Sequence, residues 1–410
     1  MFDIDDFDLD QFSEENFDEF NDKVCKILMI GVGGAGCNAV TRLMDADVHS
    51  TDFVAVNTDV QALCKVKREA QSKDVRVPVK LVQIGKKSTK GLGAGAKPEK
   101  GKEAAEESID DIKMLLEGTQ MCFIAAGMGG GTGTGAAPVI AKVAKDMGIL
   151  TVAVVTKPFD FEGRPRMINA EHGIDELKNN VDTLIVIPND KLDKSSINNA
   201  FAQADDVLLH AIKGIGDLIS QPLMINLDFA DVCTVMRNKG YAHIGIGSAK
   251  GKGRAVDAVR QAVNNQLTET NIMQATGLII SYQAGDDFAI EEIKDATNLV
   301  RDVLQDDAEI IFGVNIVPEL GERLDVVVIA TGFQAGRVAQ AQQAQQQPQS
   351  IPSFRPAPQA QQSPQQPQQP QFGQQQPSYG ERQEQQQQGG NVPNFLRKIN
   401  GNASGFGGNR

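Results

Sequence analysis

The chain has 410 residues, enough for two domains with separate cores, and a formal net charge of -13. The charge is uneven: residues 1–22 hold ten acidic residues and no basic one, residues 334–390 sum to +1, residues 391–410 to +3, and the body between them to -7. A mildly acidic body is a poor nucleic-acid surface, so any phosphate it binds is expected to be held by backbone N–H groups and a metal ion.

The cysteines, Cys25, Cys37, Cys64, Cys122 and Cys233, are odd in number and form no C-x-x-C pair. They read as reduced thiols of a cytoplasmic protein. The acidic start is unlike the basic head of a secretory signal. No apolar run approaches the roughly 18–20 residues of a spanning helix. With no Trp and three Tyr, the chain lacks stacking platforms for single strands.

In chain order, residues 1–22 read as a disordered acidic arm. "VCKILMI" and "DFVAVNTD" are buried-strand runs, followed by "MCFIAAG", "ILTVAVVT" and "TLIVIP". Helical patterns fall at about 36–46, 101–117, 136–147 and 166–180. This alternation predicts a doubly wound parallel sheet over residues 23–195. A long helical pattern at 196–220 joins it to a smaller mixed α/β domain, residues 221–333. That part carries the strands "YAHIGIGSA", "GLIISYQAG", "EIIFGVNIV" and "RLDVVVIATG", with helices near 253–267 and 288–302. Residues 334–390 are Gln/Pro low complexity, a tether with an r.m.s. reach of roughly 40 Å. Apolar and basic residues return in the peptide 391–410.

Three glycine clusters sit on strand-to-helix connections: "GVGGAG" (31–36), "KGLGAGAKPE" (90–99) and "MGGGTGTG" (128–135). Without Cβ atoms a backbone can approach an anion, and a helix start offers free N–H groups and a favourable dipole. "GVGGAG" with Asp59 beyond the second strand also fits a dinucleotide fingerprint, so a Rossmann NAD(P)-dependent oxidoreductase is the alternative reading. Three glycine loops suit a triphosphate better. The pattern G-x-x-x-x-G-K-[ST] of P-loop enzymes is absent.

"GVGGAGCNAV", "VNTDVQAL", "TKGLGAGAKPE", "FIAAGMGGGTGTGAAPVIA", "VVTKPFDFEG" and "NLDFADV" follow one another across about 24–332. Together they resemble the tubulin/FtsZ superfamily, for which GGGTGTG is a highly specific motif. The resemblance implies a GTPase that binds GTP/GDP with Mg2+. Gly34, Ala35, Gly36, Cys37 and Asn38 match its first phosphate loop. Gly130, Gly131, Thr132, Gly133 and Thr134 match its signature loop, and Gly95 and Ala96 would lie near the γ-phosphate. Lys97 stands where the family typically has Asn. Glu162 and Arg166 match contacts to the ribose and base edge, and Asn189 a guanine-side contact. Phe201 would stack on the base, although alone it reads as a core aromatic. Asp205 can accept from both guanine N1–H and N2–H, a pairing adenine cannot offer.

Asn226, Asp228 and Asp231 in "NLDFAD" match the hydrolytic residues. Two carboxylates three apart can polarise a water, though the pair also fits the acidic start of a helix. Phe201 and Asp205 lie near one end of the long helix and Asp228 past the other, roughly 30 Å away. One subunit cannot bring both ends to one nucleotide; two stacked head to tail can, and such a contact generates open filaments. The resemblance further implies self-assembly into a division ring. "NVPNFLRK" would bind membrane-tethering and regulatory division proteins on the inner face of the membrane. Neither nucleic-acid binding nor membrane insertion is expected.

Overall fold

In a computed structural model of the chain, residues 25–44, 51–72, 79–192, 197–220, 228–264, 272–302, 304 and 308–333 are described. The side chains of 197–202, Ser220 and Met273 are outside that description. The acidic arm, the Gln/Pro tether, the C-terminal peptide, Asn226 and the Phe201 ring therefore lie outside the described residues.

Unbroken apolar runs become parallel strands covered on both faces. They are β1 (Ile27–Val32), β2 (Thr51–Asn57), β4 (Met121–Gly127), β5 (Leu150–Lys157) and β6 (Thr183–Pro188), joined at the edge by a shorter, partly exposed strand, β3 (Val79–Gln83). They pair in the order β3-β2-β1-β4-β5-β6. Successive residues serve opposite cores, as a strand's twofold period requires. Ile27, Met29, Phe53 and Phe123 pack with α1 (Gly33–Leu43), α2 (Val60–Ser72) and α7 (Ile197–Ser220). Leu28, Ile30, Val54 and Ile124 face the other way. There they meet α3 (Pro98–Glu107), α4 (Ile109–Leu116), α5 (Thr132–Asp146) and α6 (Arg164–Lys178).

The second half holds α8 (Phe229–Met236), β7 (Gly240–Lys250), α9 (Arg254–Val263), β8 (Gly277–Ala284), α10 (Ile290–Arg301), β9 (Glu309–Ile316) and β10 (Arg323–Thr331). Its strand order is β7-β10-β8-β9, with β8 and β9 parallel and the other two pairings antiparallel. α9 and α10 cover one face. The other face belongs to α7. Val207, Leu208, Ala211, Ile212, Ile215 and Leu218 recur at helical spacing and form one stripe, which packs on strands of both halves. The sequence predicts two domains joined by that helix. The structure adds a seam: β6 and β7 pair in parallel over three positions, Thr183 opposite Gly240 to Ile185 opposite Ala242, making one ten-stranded sheet.

Three local expectations change. α2 and β3 fill a stretch read only as a connection, because β3 ("VKLVQ") is a partly exposed edge strand without an apolar run. The helix expected over 101–117 breaks at Ser108, whose hydroxyl accepts the Gly85 N–H at 3.1 Å. The helix expected from about 136 begins at Thr132, so Pro138 lies inside α5 and cannot donate to the Thr134 carbonyl.

Candidate functional site

The carboxyl ends of β1, β2, β4, β5 and β6 meet along one edge of the sheet, where open α/β sheets collect their ligands. A cavity of about 380 Å³ lies there. Its walls come from the turns after those strands, the loop before α3, and the first third of α7.

The first turn contributes Gly34 and Ala35. Its glycines divide the work. A Cβ on Gly36 would stand 2.4 Å from the Ala125 carbonyl oxygen, so Gly36 lets α1 lie against β4. Gly34 has open space where a Cβ would be. Cys37 is buried beneath the wall, where burial pushes its thiol up to about 11. Asn38 is exposed on α1 and does not line the cavity. Any contact of Gly36 or Cys37 with a ligand is left to backbone.

The turn after β4 supplies Gly130, Gly131, Thr132 and Gly133. Gly130, like Gly34, faces open space. The Thr132 hydroxyl is 2.7 Å from that of Thr58. The Thr134 hydroxyl accepts the Gly129 N–H at 2.8 Å and is buried, so it braces the loop from within. α5 starts at Thr132 and aims its helix dipole at the cavity. The loop before α3 adds Gly95 and Ala96. Both have positive φ, 60° and 57°, and Ala96 holds this left-handed conformation at a steric cost of roughly 1 kcal/mol. Strain of this kind gathers at ligand sites.

The far wall is polar. Glu162 accepts the Phe159 N–H at 3.0 Å and pairs with Arg166 one helical turn on. Asn189 is 5% exposed, and its Oδ1 has no hydrogen-bond partner among the described residues. An orphaned acceptor of this kind costs about 1–3 kcal/mol unless a ligand N–H meets it. Asp205 is held by Arg42 Nε at 3.3 Å from Oδ2. Burial pushes its carboxyl up to about 6; Arg42 opposes the rise and Asp206 adds to it. The raised value means the ligand-free fold gains stability from this proton in acid, a gain lost as pH rises through about 6.

Three polar wall residues had no assigned role in binding a triphosphate: Asn57, Asp59 and Thr156. All lie at or just past the carboxyl ends of strands that reach this edge, which is the signal that finds them. Asn57 takes the Asp59 N–H on its Oδ1 at 3.1 Å and gives its Nδ2 to Cys37 Sγ at 3.6 Å.

Asp228 and Asp231 stand elsewhere. Asp228 occupies the position before α8 and Asp231 its first turn, and both are exposed. Neither lines the cavity. They follow the far end of α7, whose 24 residues span about 36 Å. Among the described residues no three His, Cys, Asp or Glu side chains gather as a metal site, and no helix is long and apolar enough to cross a membrane.

The sheet edge and its glycine cradle define a class: an α/β nucleotide-binding protein built without a P-loop. Two family models cover most of the described chain. The Tubulin/FtsZ family GTPase domain matches residues 26–197, and the FtsZ family C-terminal domain matches 240–334. A curated relative, the cell division protein FtsZ of Wigglesworthia glossinidia brevipalpis, is 49% identical over 312 residues, 75% of this chain and 79% of the relative. Among solved structures, an FtsZ dimer from M. jannaschii matches with TM-score 0.72 and 42% identity, over 78% of this chain and 92% of that one. CetZ1 from Haloferax volcanii, a GDP-bound monomer, shares the fold at TM-score 0.65 and 24% identity, over 78% and 98%. The chain belongs to the tubulin/FtsZ family, and with it to the GTPases that assemble into filaments for cell division. None of these matches supports the oxidoreductase alternative.

Proposed function

We propose that GTP lies in the cavity with its phosphates over Gly34–Asn38, Gly95–Ala96 and Gly130–Thr134, and that a neighbouring subunit completes the hydrolytic site. The observation that carries this reading is the separation of the cavity from Asp228 and Asp231 by the last 15 residues of α7, about 22 Å of helix. In a head-to-tail pair, Asn226, Asp228 and Asp231 of one subunit meet the γ-phosphate held by the next. There the carboxylates orient a water for attack on phosphorus; the bond to the β-phosphate oxygen breaks, leaving GDP and phosphate. Mg2+ would enter with the nucleotide and supply charge neutralisation at the phosphates. Asp59 is the carboxylate suited to hold it, and the ion's charge offsets that of the phosphates.

Glu162 and Arg166 hold the ribose and base edge, Asn189 and Asp205 the guanine, and Phe201 stacks on it. Asp205→Ala removes the double acceptor. GTP binding is expected to weaken by roughly 10–100-fold and the preference over ATP to narrow. Competition binding checks this; equal loss for both nucleotides would make Asp205 structural.

The boundaries follow the sequence: GTP-binding domain 23–195, central helix 196–220 and activation domain 221–333. The protein works in the cytoplasm at the division site, on the inner face of the membrane. Through the tether 334–390, the peptide 391–410 recruits membrane-tethering and regulatory division proteins. In that peptide Pro393 can open a helix that sets Phe395, Leu396 and Ile399 on one side, an amphipathic segment for a partner's groove. Removing 391–410 should leave GTP hydrolysis and polymerisation of purified protein nearly unchanged and block division in cells. Normal constriction with only the truncated protein would count against it. The test of the whole reading is light scattering with phosphate release after GTP is added to purified protein: both should rise together.

A further inference from the structure

Arg42 lies in the last turn of α1, the helix that begins in the first glycine loop. Its guanidinium crosses to α7 and grips two successive carboxylates. Nε is 3.3 Å from Asp205 Oδ2, and Nη1 is 2.7 Å from Asp206 Oδ1. The second grip fixes the first, because a planar guanidinium bound at two points cannot swing away. Asp206 is 54% exposed; Asp205 is 18% exposed and lines the cavity.

Base recognition by a carboxyl group depends on its proton. As a carboxylate it offers two acceptors, which match guanine N1–H and N2–H. Once protonated it offers one donor and one acceptor. That pair clashes with guanine and matches adenine, whose N1 accepts and whose N6 donates. Each carboxylate oxygen has more than one lone pair, so Oδ2 can serve Arg42 and a base together.

We propose that Arg42 is a specificity-determining positioning residue: by holding Asp205 as an oriented carboxylate, it fixes the choice of guanine over adenine. The inference rests on the proposed pairing of Asp205 with guanine. The charged groups facing Asp205 are Arg42 of α1, Lys65 of α2 and Asp206 beside it on α7. Burial favours the protonated form and Asp206 adds to that; Arg42 and, more weakly, Lys65 oppose it. The balance sits near neutrality, with the carboxyl at about 6. Loss of one charge can therefore change which base the pocket reads.

The experiment measures GDP and ADP binding to the full chain by calorimetry between pH 5 and 8. Diphosphates avoid turnover, and their shared phosphate titration cancels in the ratio. In the unaltered protein the GDP/ADP preference should be level above pH 7 and fall below about pH 6. Arg42→Met should move that midpoint up by about one pH unit, reducing the preference at pH 6 roughly five- to tenfold. Arg42→Lys should restore most of the midpoint. Asp206→Asn removes a like charge, which lowers the midpoint, and releases the second grip on Arg42, which raises it, so it should move the midpoint less than Arg42→Met does. Arg42→Gln, which keeps a polar side chain, carries the test if Arg42→Met does not fold. Asp205→Asn should leave a weak preference without pH dependence. An unmoved midpoint in Arg42→Met, or in Arg42→Gln where that variant carries the test, with the preference narrowed by Asp205→Ala, overturns the role of Arg42 and leaves the base reading standing. A preference intact in Asp205→Ala overturns the base reading itself.

Discussion

Asp231→Ala should form filaments with GTP and hydrolyse it about 10²–10⁴-fold more slowly. The phosphate loops are untouched by this change, since Asp231 is exposed at the start of α8 and lines no part of the cavity. Nucleotide affinity should therefore stay within about twofold. An alanine at this exposed, first-turn position removes only a favourable dipole interaction of roughly 0.3–1 kcal/mol, too little to unfold the domain. In mixtures with unaltered protein, each variant subunit spoils a site whose nucleotide its neighbour holds. Hydrolysis should fall as the fraction of intact contacts, and faster still if a slow site stabilises the filament around it. Phosphate release measured against mixing ratio checks this. Retained turnover in the pure variant would remove Asp231 from the chemistry; lost GTP binding would put it in the cavity.

The second large effect separates two uses of glycine within "MGGGTGTG". Gly130 faces open space at the cavity wall, without positive φ. Gly130→Val should leave the melting temperature of the free protein within about 2 °C, because no protein atom lies within 4 Å of where its Cβ would stand. It fills the cradle meant for phosphate, so GTP affinity should drop about 100-fold or more, by lost backbone approach. Gly135 is the reverse. Its Cβ would stand 1.9 Å from the Pro98 carbonyl oxygen, where α3 crosses α5. Gly135→Ala should cost roughly 2–3 kcal/mol of stability by forcing those helices apart. Thermal melts beside nucleotide titrations distinguish the two. A destabilised Gly130→Val, or a fully stable Gly135→Ala, would contradict the division.

These cases also mark what the sequence discloses. The strands of the parallel half were legible because both faces are buried, which leaves no polar residue to break the run. β3 was not, because at the sheet edge one face meets solvent and Lys80 and Gln83 interrupt the pattern. The glycine loops were legible as phosphate binders, but not which glycine faces the ligand and which lets two helices touch; that depends on chain crossings distant in sequence. The Thr134 hydroxyl looked available and is spent within its own loop. Asn57 and Asp59 sit in "VNTDVQAL", where the sequence assigned neither a phosphate role, and enter the wall because β2 ends at the shared edge. Arg42 gave no signal, since its carboxylates lie on α7, far along the chain, and only folding brings them together.

α7 is also a measure of length. In the head-to-tail filament proposed above, it lies between the nucleotide a subunit holds and the one it attacks. Bending at the contacts between subunits cannot shorten that rod. Removing seven residues, close to two whole turns, would keep the rest of its apolar stripe nearly in phase and draw the two ends about 10 Å closer. Removing two would turn everything beyond the cut by about 200° and carry Ile215 and Leu218 out of the core. Along this rod the fold therefore tolerates change only in whole turns, and the axial repeat of the filament inherits the same increment of about 5.4 Å.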